Sequence, residues 1–369
     1  MGPMNYGVVQ LTAASTLTGS GSAGASEAGW SFANAGLRKM VVIESSPLTA
    51  TPAFEELEEH RRALTGYCYR MLGSPFEAEE AVQDTLLRAW RSLERFDGRA
   101  ALRSWLYRIA TNVCLDMLKA RKRRAVPMDF GPARSPEGPI GDTLPEITWL
   151  EPVPDALIVA DGDPADVALS RESVRLAFVA ALQHLPPRQR AALILCEVLR
   201  WKASEVAELL DTSLASINSA LQRARATLEA SDVSAGDLAT SLDASGRQLL
   251  ARYVEAFERY DMEALTSLIH EDATQSMPPY ELWLSGRQDI LDFWVGHGAG
   301  CRGSRVIETV AANGSPAFGQ YKPSETGEGY DPWAIQVLEI EHGRIVKLTF
   351  FLATETLFPL FGLPARLAA

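Results

Sequence analysis

The chain has 369 residues, 47% of them hydrophobic, and a formal net charge of −12. That length suits two or three domains with cores of their own. No apolar run approaches the roughly 20 residues of a membrane-spanning helix, and no basic segment leads into an apolar one at the N-terminus, so neither a membrane span nor a secretory signal is expected.

Cys68, Cys114, Cys196 and Cys301 stand apart without a C-x-x-C pair. This argues against a disulfide framework or a metal site and predicts reduced thiols in a cytoplasmic protein. The charge is unevenly spread: residues 88–124 hold 11 basic and 3 acidic side chains, whereas 126–170 hold 1 basic and 9 acidic. A basic patch in an acidic protein is a local footprint for nucleic acid, and the acidic remainder opposes indiscriminate binding.

In chain order, residues 1–52 are rich in Ser, Ala, Gly and Thr and are predicted to be disordered. Residues 53–125 are helical. Within 76–93, Phe76, Val82, Leu86, Trp90 and Leu93 recur at helical spacing and are predicted to face a core. Glu80, Asp84, Leu87 and Arg91 share the opposite face, with Gln83 beside them. Leucine among carboxylates suits a protein partner, and a chance surface leucine gives the same pattern. Within 102–117, Leu102, Trp105, Ile109, Val113 and Met117 form the buried stripe. Arg108, Asn112, Lys119 and Arg123 lie opposite, ending in the run Arg121, Lys122, Arg123 and Arg124. A basic helix end complements the helix dipole. Four consecutive cations plus Arg108 and Lys119 suit phosphate contacts better, with Asn112 placed to meet a base edge.

Residues 126–170 are rich in Pro, Gly and Asp without a sustained period and are predicted to be a linker. Residues 171–230 are helical again. Pro186 and Pro187 open a helix whose inward face is Ala191, Leu193, Leu195 and Val198. A short helix at 203–210, the turn Asp211-Thr212-Ser213 and a helix from Leu214 to Glu229 follow, the last with Ile217, Leu221 and Ala224 inward. That is helix-turn-helix spacing. The outward Ser216, Asn218, Ser219, Gln222 and Arg223 suit a major groove, although a plain helical hairpin shares the pattern. Residues 231–243 are a short polar connection. Residues 244–369 begin with helices, placing Leu249, Leu250, Tyr253, Phe257 and Leu265 inward. A strand edge and a further helix come next (272–294), then β-branched and aromatic runs at 304–312, 317–322, 333–341 and 343–353, which make an α+β domain.

Together these segments resemble the sigma-70 family, specifically its small extracytoplasmic-function group. AEEAVQDTLLRAW (78–90) is similar to the polymerase-binding helix of region 2. WLYRIATNVCLDMLKARKRR (105–124) is similar to the helix that recognises the −10 element, and LPPRQRAALIL through INSALQRARATL (185–228) to region 4, the −35 reader. The resemblance implies two all-α domains, a region 2 helical bundle and a region 4 helix-turn-helix. It implies core RNA polymerase (β′ clamp helices and β flap) and promoter DNA as partners, and no cofactor, metal or membrane. Glu80, Gln83, Asp84 and Leu87 match the polymerase contacts. Phe96, Arg103, Trp105, Arg108, Asn112, Lys119 and Arg123 match the elements that hold −10 bases. Ser216, Asn218, Ser219, Gln222 and Arg223 match the −35 contacts. The chain departs from the family where Asp84 stands for Glu, Asn218 for Lys and Asp211 for the turn glycine.

Residues 244–369 resemble the SnoaL-like, nuclear-transport-factor-like cone, a curved sheet wrapped by helices around a pocket. The resemblance rests on element order and on the Met-Pro-Pro-Tyr and Trp-Leu-Ser-Gly-Arg segments (277–280, 283–287). Candidate pocket residues are Tyr253, His270, Met277, Tyr280, Trp283, His297, Trp333 and Gln336; the aromatics also read as core. Trp149-Leu150-Glu151-Pro152 resembles a linker motif of sigma factors with this extension, and Trp149 is expected to dock on the C-terminal domain or a DNA-binding face. The expected role is therefore a non-enzymatic transcription initiation factor tuned in cis by its last domain. The alternative is that this domain, whose fold also hosts isomerases and cyclases, binds or converts a small molecule.

Overall fold

A computed structural model describes residues 52–93, 96, 101–119, 123–159, 171–229 and 244–369. The expectation of disorder before residue 52 falls outside them, as do Arg95, Asp97, Arg99, Arg121, Lys122, residues 160–170 and the connection 231–243.

Four helices open the chain: α1 (Pro52–Glu58), α2 (Arg61–Leu72), α3 (Pro75–Ser92) and α4 (Leu102–Lys119). Gly73 ends α2 with φ 77, donating its N–H to the Tyr69 carbonyl at 2.7 Å; a side chain there would be strained. Ser74 then caps α3, its Oγ accepting from Glu77 N, with Pro75 in the first turn. The inward stripe of α3 is Ala78, Ala81, Val82, Thr85, Leu86 and Ala89. Trp90, expected in that stripe, is 53% exposed. The alanines let neighbouring helices approach and set the centre of the stripe, and Trp90 lies a further 100° round from Ala89.

The second helical set is α6 (Leu176–Gln183), α7 (Pro187–Leu193) prolonged by a π-turn at Ile194–Val198, α8 (Ala203–Leu209) and α9 (Leu214–Glu229); α5 (Asp155–Ile158) is a single turn before it. Asp211 takes φ 50 between α8 and α9, a conformation that a short polar side chain tolerates. Ser213 Oγ accepts from Ser216 N at 3.1 Å at the start of α9. Ile217, Ala220, Leu221 and Ala224 face inward. Arg190, 2% exposed, ties the two sets together. It donates to the Met71 carbonyl at the end of α2 and to Gln183 Oε1 at 2.7 Å. Burial lowers its guanidinium to about 10.

The last domain begins with α10 (Ala244–Glu258) and α11 (Met262–Leu268), followed by β1 (Ile269–Ser276), β2 (Trp283–Ser285) and α12 (Arg287–Val295). It closes with β3 (Arg305–Glu308), β4 (Ala317–Pro323), β5 (Tyr330–Glu341), β6 (Arg344–Phe351) and α13 (Thr354–Leu360). The strands form one sheet in the order β2-β1-β6-β5-β4-β3, antiparallel except that β1 runs parallel to β6. Register shifts near Gln320 and Glu339 bend it. Both faces of the sheet are buried. Phe318, Ala334, Leu338, Leu348 and Phe350 pack with the domain's own helices. Ala317, Tyr321, Ile335, Val337 and Phe351 join a larger core shared with the helical sets.

The segment 126–159, expected to be a linker, is a packed strap. Arg134 N donates to Trp283 O and Leu144 N to Pro279 O, each at 2.9 Å. Leu150 N donates to Ala125 O at 3.0 Å and Glu151 N to Gly73 O at 3.0 Å. Leu150, Val153 and Ile158 are buried. Extended backbone paired in this way shows no side-chain period, so composition alone resembles a loose connection. Trp149 is 3% exposed. Its ring stands edge-on to Phe130 at 5.3 Å, and it lines a crevice with Pro278, Pro279 and Phe351 of the C-terminal domain.

Candidate nucleic-acid interface and cavity

On α3, Glu80, Gln83 and Leu87 are exposed. Asp84 is half-buried and paired with Arg88 at 2.7 Å, and Gln83 donates to Glu79 at 3.0 Å. Leu87 is 43% exposed and Trp90, one turn on, extends its apolar surface. Sequence reasoning missed Trp90 because a large apolar residue at helical spacing scores as core. The excess of alanines on the other face was the available signal.

The basic side of α4 is largely occupied. The Arg103 guanidinium lies 5.6 Å from the Tyr107 ring and 5.4 Å from the Trp201 ring, and those two rings are 5.2 Å apart. Arg108 Nη2 donates to the Glu208 carbonyl in α8 at 3.0 Å. Trp105 is half-buried and packs on Phe96 at 5.0 Å. Lys119 pairs with Asp116 at 2.7 Å, and Arg123 sits by the His184 ring with Asp129 at 3.6 Å. Asn112 is exposed. The reading of the terminal run as four phosphate contacts is corrected at Arg124, which is 6% exposed. Arg124 lies between Glu77 at 2.7 Å and Glu151 at 3.4 Å and donates to the Trp149 carbonyl, so it anchors the strap.

The α9 face is open. Asn218, Ser219, Gln222 and Arg223 are exposed, as is Ser216, whose hydroxyl meets Ser213 at 2.9 Å.

In the C-terminal domain a cavity of about 140 Å³ lies between the sheet and α10–α12. Tyr280, Trp333, Met277 and His297 reach its wall. Tyr253, His270, Trp283 and Gln336, expected there, do not. Tyr253 and Gln336 are fully buried behind the wall in a relay: Tyr253 OH donates to Gln336 Oε1 at 2.8 Å, and Gln336 Nε2 to Gln320 Oε1 at 2.8 Å. Burial pushes the Tyr253 phenol far above its usual range, keeping it a neutral donor. His270 sits half-exposed beside Asp272 at 4.0 Å, and Trp283 donates its indole N–H to the strap carbonyl of Gly131 at 2.9 Å. Sequence reasoning missed Gln275, Gln320, Lys322 and Cys301, which line the cavity. Strand alternation puts Gln320 and Lys322 on one face of β4, but only the folded sheet brings that face to the same space as Gln275 of β1. The strap supplies Ile140 to the wall, and its Gly138 carbonyl lies 2.9 Å from His297 Nε2. Among the described residues no carboxylate lines the cavity, no three metal-ligating side chains converge, and no helix is long and apolar enough to cross a membrane.

Comparison with known proteins follows the same division. Residues 57–124 match Sigma-70 region 2, residues 175–228 match Sigma-70, region 4, and residues 250–348 match the SnoaL-like domain. The ECF RNA polymerase sigma factor SigG of Mycobacterium tuberculosis H37Rv is 46% identical over 315 residues, covering 84% of this chain and 83% of that protein. SigJ of the same strain is 28% identical over 310 residues, covering 80% and 89%. The crystal structure of the Mycobacterium tuberculosis extracytoplasmic function sigma factor SigJ superposes with a TM-score of 0.54 at 22% identity, covering 85% of this chain and 99% of that one. It shares the fold.

Proposed function

We propose a division of labour for a chain that belongs to the extracytoplasmic-function RNA polymerase sigma factors. Its main role is that of a sigma factor, which binds core RNA polymerase and promoter DNA and directs transcription initiation. In the proposed division Glu80, Gln83, Asp84 and Leu87, extended by Trp90, dock on the β′ clamp helices, and the second helical set reaches the β flap. Phe96, Arg103, Trp105, Arg108, Asn112, Lys119 and Arg123 hold the melted −10 strand. Ser216, Asn218, Ser219, Gln222 and Arg223 read the −35 element in the major groove. The work takes place in the cytoplasm.

One observation carries a further step: Arg103 and Arg108 rest on Trp201 and Glu208 of the helix-turn-helix domain. The arrangement is a closed resting form, in which α4 cannot take extruded bases until α8 moves away. Capturing unstacked bases already costs a few kcal/mol, so polymerase, which fixes the spacing of the two DNA-binding domains, supplies the opening. The C-terminal domain restrains opening through Asn313. Its amide donates to Tyr69 OH at 2.7 Å and to the Val174 carbonyl at 2.6 Å, and its Oδ1 accepts from Val153 N at 2.9 Å. One buried side chain thus links the first helical set, the strap and the start of the second set.

Donor and acceptor dyes on the exposed ends of α4 and α9 test this reading. Their separation should increase when core polymerase and promoter DNA are added. An unchanged separation in a complex active in run-off transcription would refute the closed resting form. A second reading, that the cavity takes a small molecule biasing this equilibrium, is favoured by Ile140 and Gly138 of the strap meeting the cavity wall.

A further inference from the structure

The cavity carries two polar groups that no protein partner satisfies. Lys322 sits on its wall with Nζ 3.7 Å from the centre of the Trp333 ring. Among the described residues no carboxylate lies within 4 Å of it. Asp331, its neighbour across the β4–β5 ladder, is taken by Arg366 at 2.8 Å. The ring face offsets part of the cost of holding a cation beside apolar surface, but it leaves the positive charge without an anion in a protein of net charge −12. Gln275, 1% exposed, lines the same cavity. Its Oε1 accepts from Trp294 Nε1 at 2.6 Å, and its amide N–H groups have no partner among the described residues. With its oxygen already engaged, the amide has its N–H groups left to offer to an occupant of the cavity. Phe257, Leu265, Phe293 and Phe350 make the rest of the surface apolar.

We infer that the cavity binds a small aromatic monocarboxylate, its anion on Lys322, its ring among Trp333 and Phe350, and an acceptor atom offered to Gln275. This rests on reading the cavity as a small-molecule site. Size sets the class: a cavity near 150 Å³ accommodates about one benzene ring, so about 140 Å³ limits the ligand to a single ring with short substituents. Chemistry sets the charge, because an ammonium and amide donors face the space and no acidic group does.

Calorimetric titration of the full chain with phenylacetate, 4-hydroxyphenylacetate and neutral phenylacetamide tests the assignment. The two acids should bind, and phenylacetamide should bind about tenfold more weakly, the loss of one charge-assisted contact. Lys322→Gln should weaken the acids by a similar factor and leave phenylacetamide unchanged, while Lys322→Arg should keep acid binding. If phenylacetamide binds as tightly as phenylacetate, or Lys322→Gln leaves the acids unaffected, the carboxylate assignment is wrong while the small-molecule reading survives. If none of the three produces heat at millimolar concentration with protein whose circular dichroism is native, both fail.

Discussion

Helix α4 and helix α9 both present polar groups of the kinds that meet DNA, and they hold them in opposite ways. On α9, Asn218, Ser219, Gln222 and Arg223 point to solvent. On α4, Arg103 lies against Trp201, Arg108 bonds to the Glu208 carbonyl and Lys119 pairs with Asp116. Arg124, just beyond, is buried among Glu77, Glu151 and the strap. The polar face of α9 is open as it stands, whereas the cations of α4 already have partners within the chain. A count of basic residues measures what a surface offers only after those already paired are subtracted. Under the proposed division of labour, this difference suits a factor that binds promoters weakly until polymerase engages it.

The largest effect expected is from Asn313→Ala. It strips partners from Tyr69 OH, Val174 O and Val153 N, and each buried group left unsatisfied costs about 1–3 kcal/mol. The melting temperature should fall, and binding of a single-stranded −10 oligonucleotide without polymerase should rise. Lower stability without any gain in oligonucleotide binding would mean that Asn313 supports the fold and does not restrain α4.

Next is Arg223→Ala on the open helix. Run-off transcription from a promoter with an intact −35 element should drop by the equivalent of about 1–3 kcal/mol if the contact is bidentate. A promoter with a scrambled −35 element should respond little to the change. Equal losses on both would remove Arg223 from base reading and leave it a phosphate contact.

Trp201→Ala should act in the opposite sense on the closed helix. The cation–π contact to Arg103 is worth about 0.5–1 kcal/mol where solvent reaches it, and the ring pair with Tyr107 adds about as much. Oligonucleotide affinity should rise by up to about tenfold. No change would show that Arg103 is already available and would erase the contrast between the helices.

The smallest effect is of pH. Burial pushes the Glu151 and Asp155 carboxyls above their usual range, so the closed junction binds their protons more readily than an opened one. This contribution to closure is fully present below the ordinary carboxylate range and fades as pH rises through the raised values. The dye separation across α4 and α9 should therefore shorten on acidification in a titration below neutrality. Lengthening would remove Glu151 and Asp155 as the source of the response.

Much of this architecture was legible from the chain. The two helical sets, the helix-turn-helix with Asp211 at its turn and the strands of the last domain follow from periodicity and turn chemistry between near neighbours. Trp90 was misplaced because helical spacing weighs side-chain size and overlooks the alanine stripe that admits close packing. Trp149 was foreseen as a docking residue, but the burial of the strap around it was not, since paired extended backbone leaves no period. In the cavity, aromatic residues drew attention to Tyr253, which lies behind the wall, while Lys322 and Gln275 look ordinary until the curved sheet brings them to one space.

The sequence by itself determined the order of the domains, the inward faces of α7, α9 and α10 and the polar character of the outward faces of α4 and α9, because those depend on residues a few positions apart. On α4 the buried stripe is instead Leu106, Tyr107, Ala110, Val113 and Cys114, with Leu102, Trp105, Ile109 and Met117 half-buried at its edge. The tertiary structure decided which cations remain free, that 126–159 is a strap and which strand residues share the cavity. Those outcomes depend on pairings such as Arg108 with Glu208 and Asn313 with Tyr69, separated by 100 and 244 positions. No local pattern records them, since burial and partnership arise only when distant segments exclude water together.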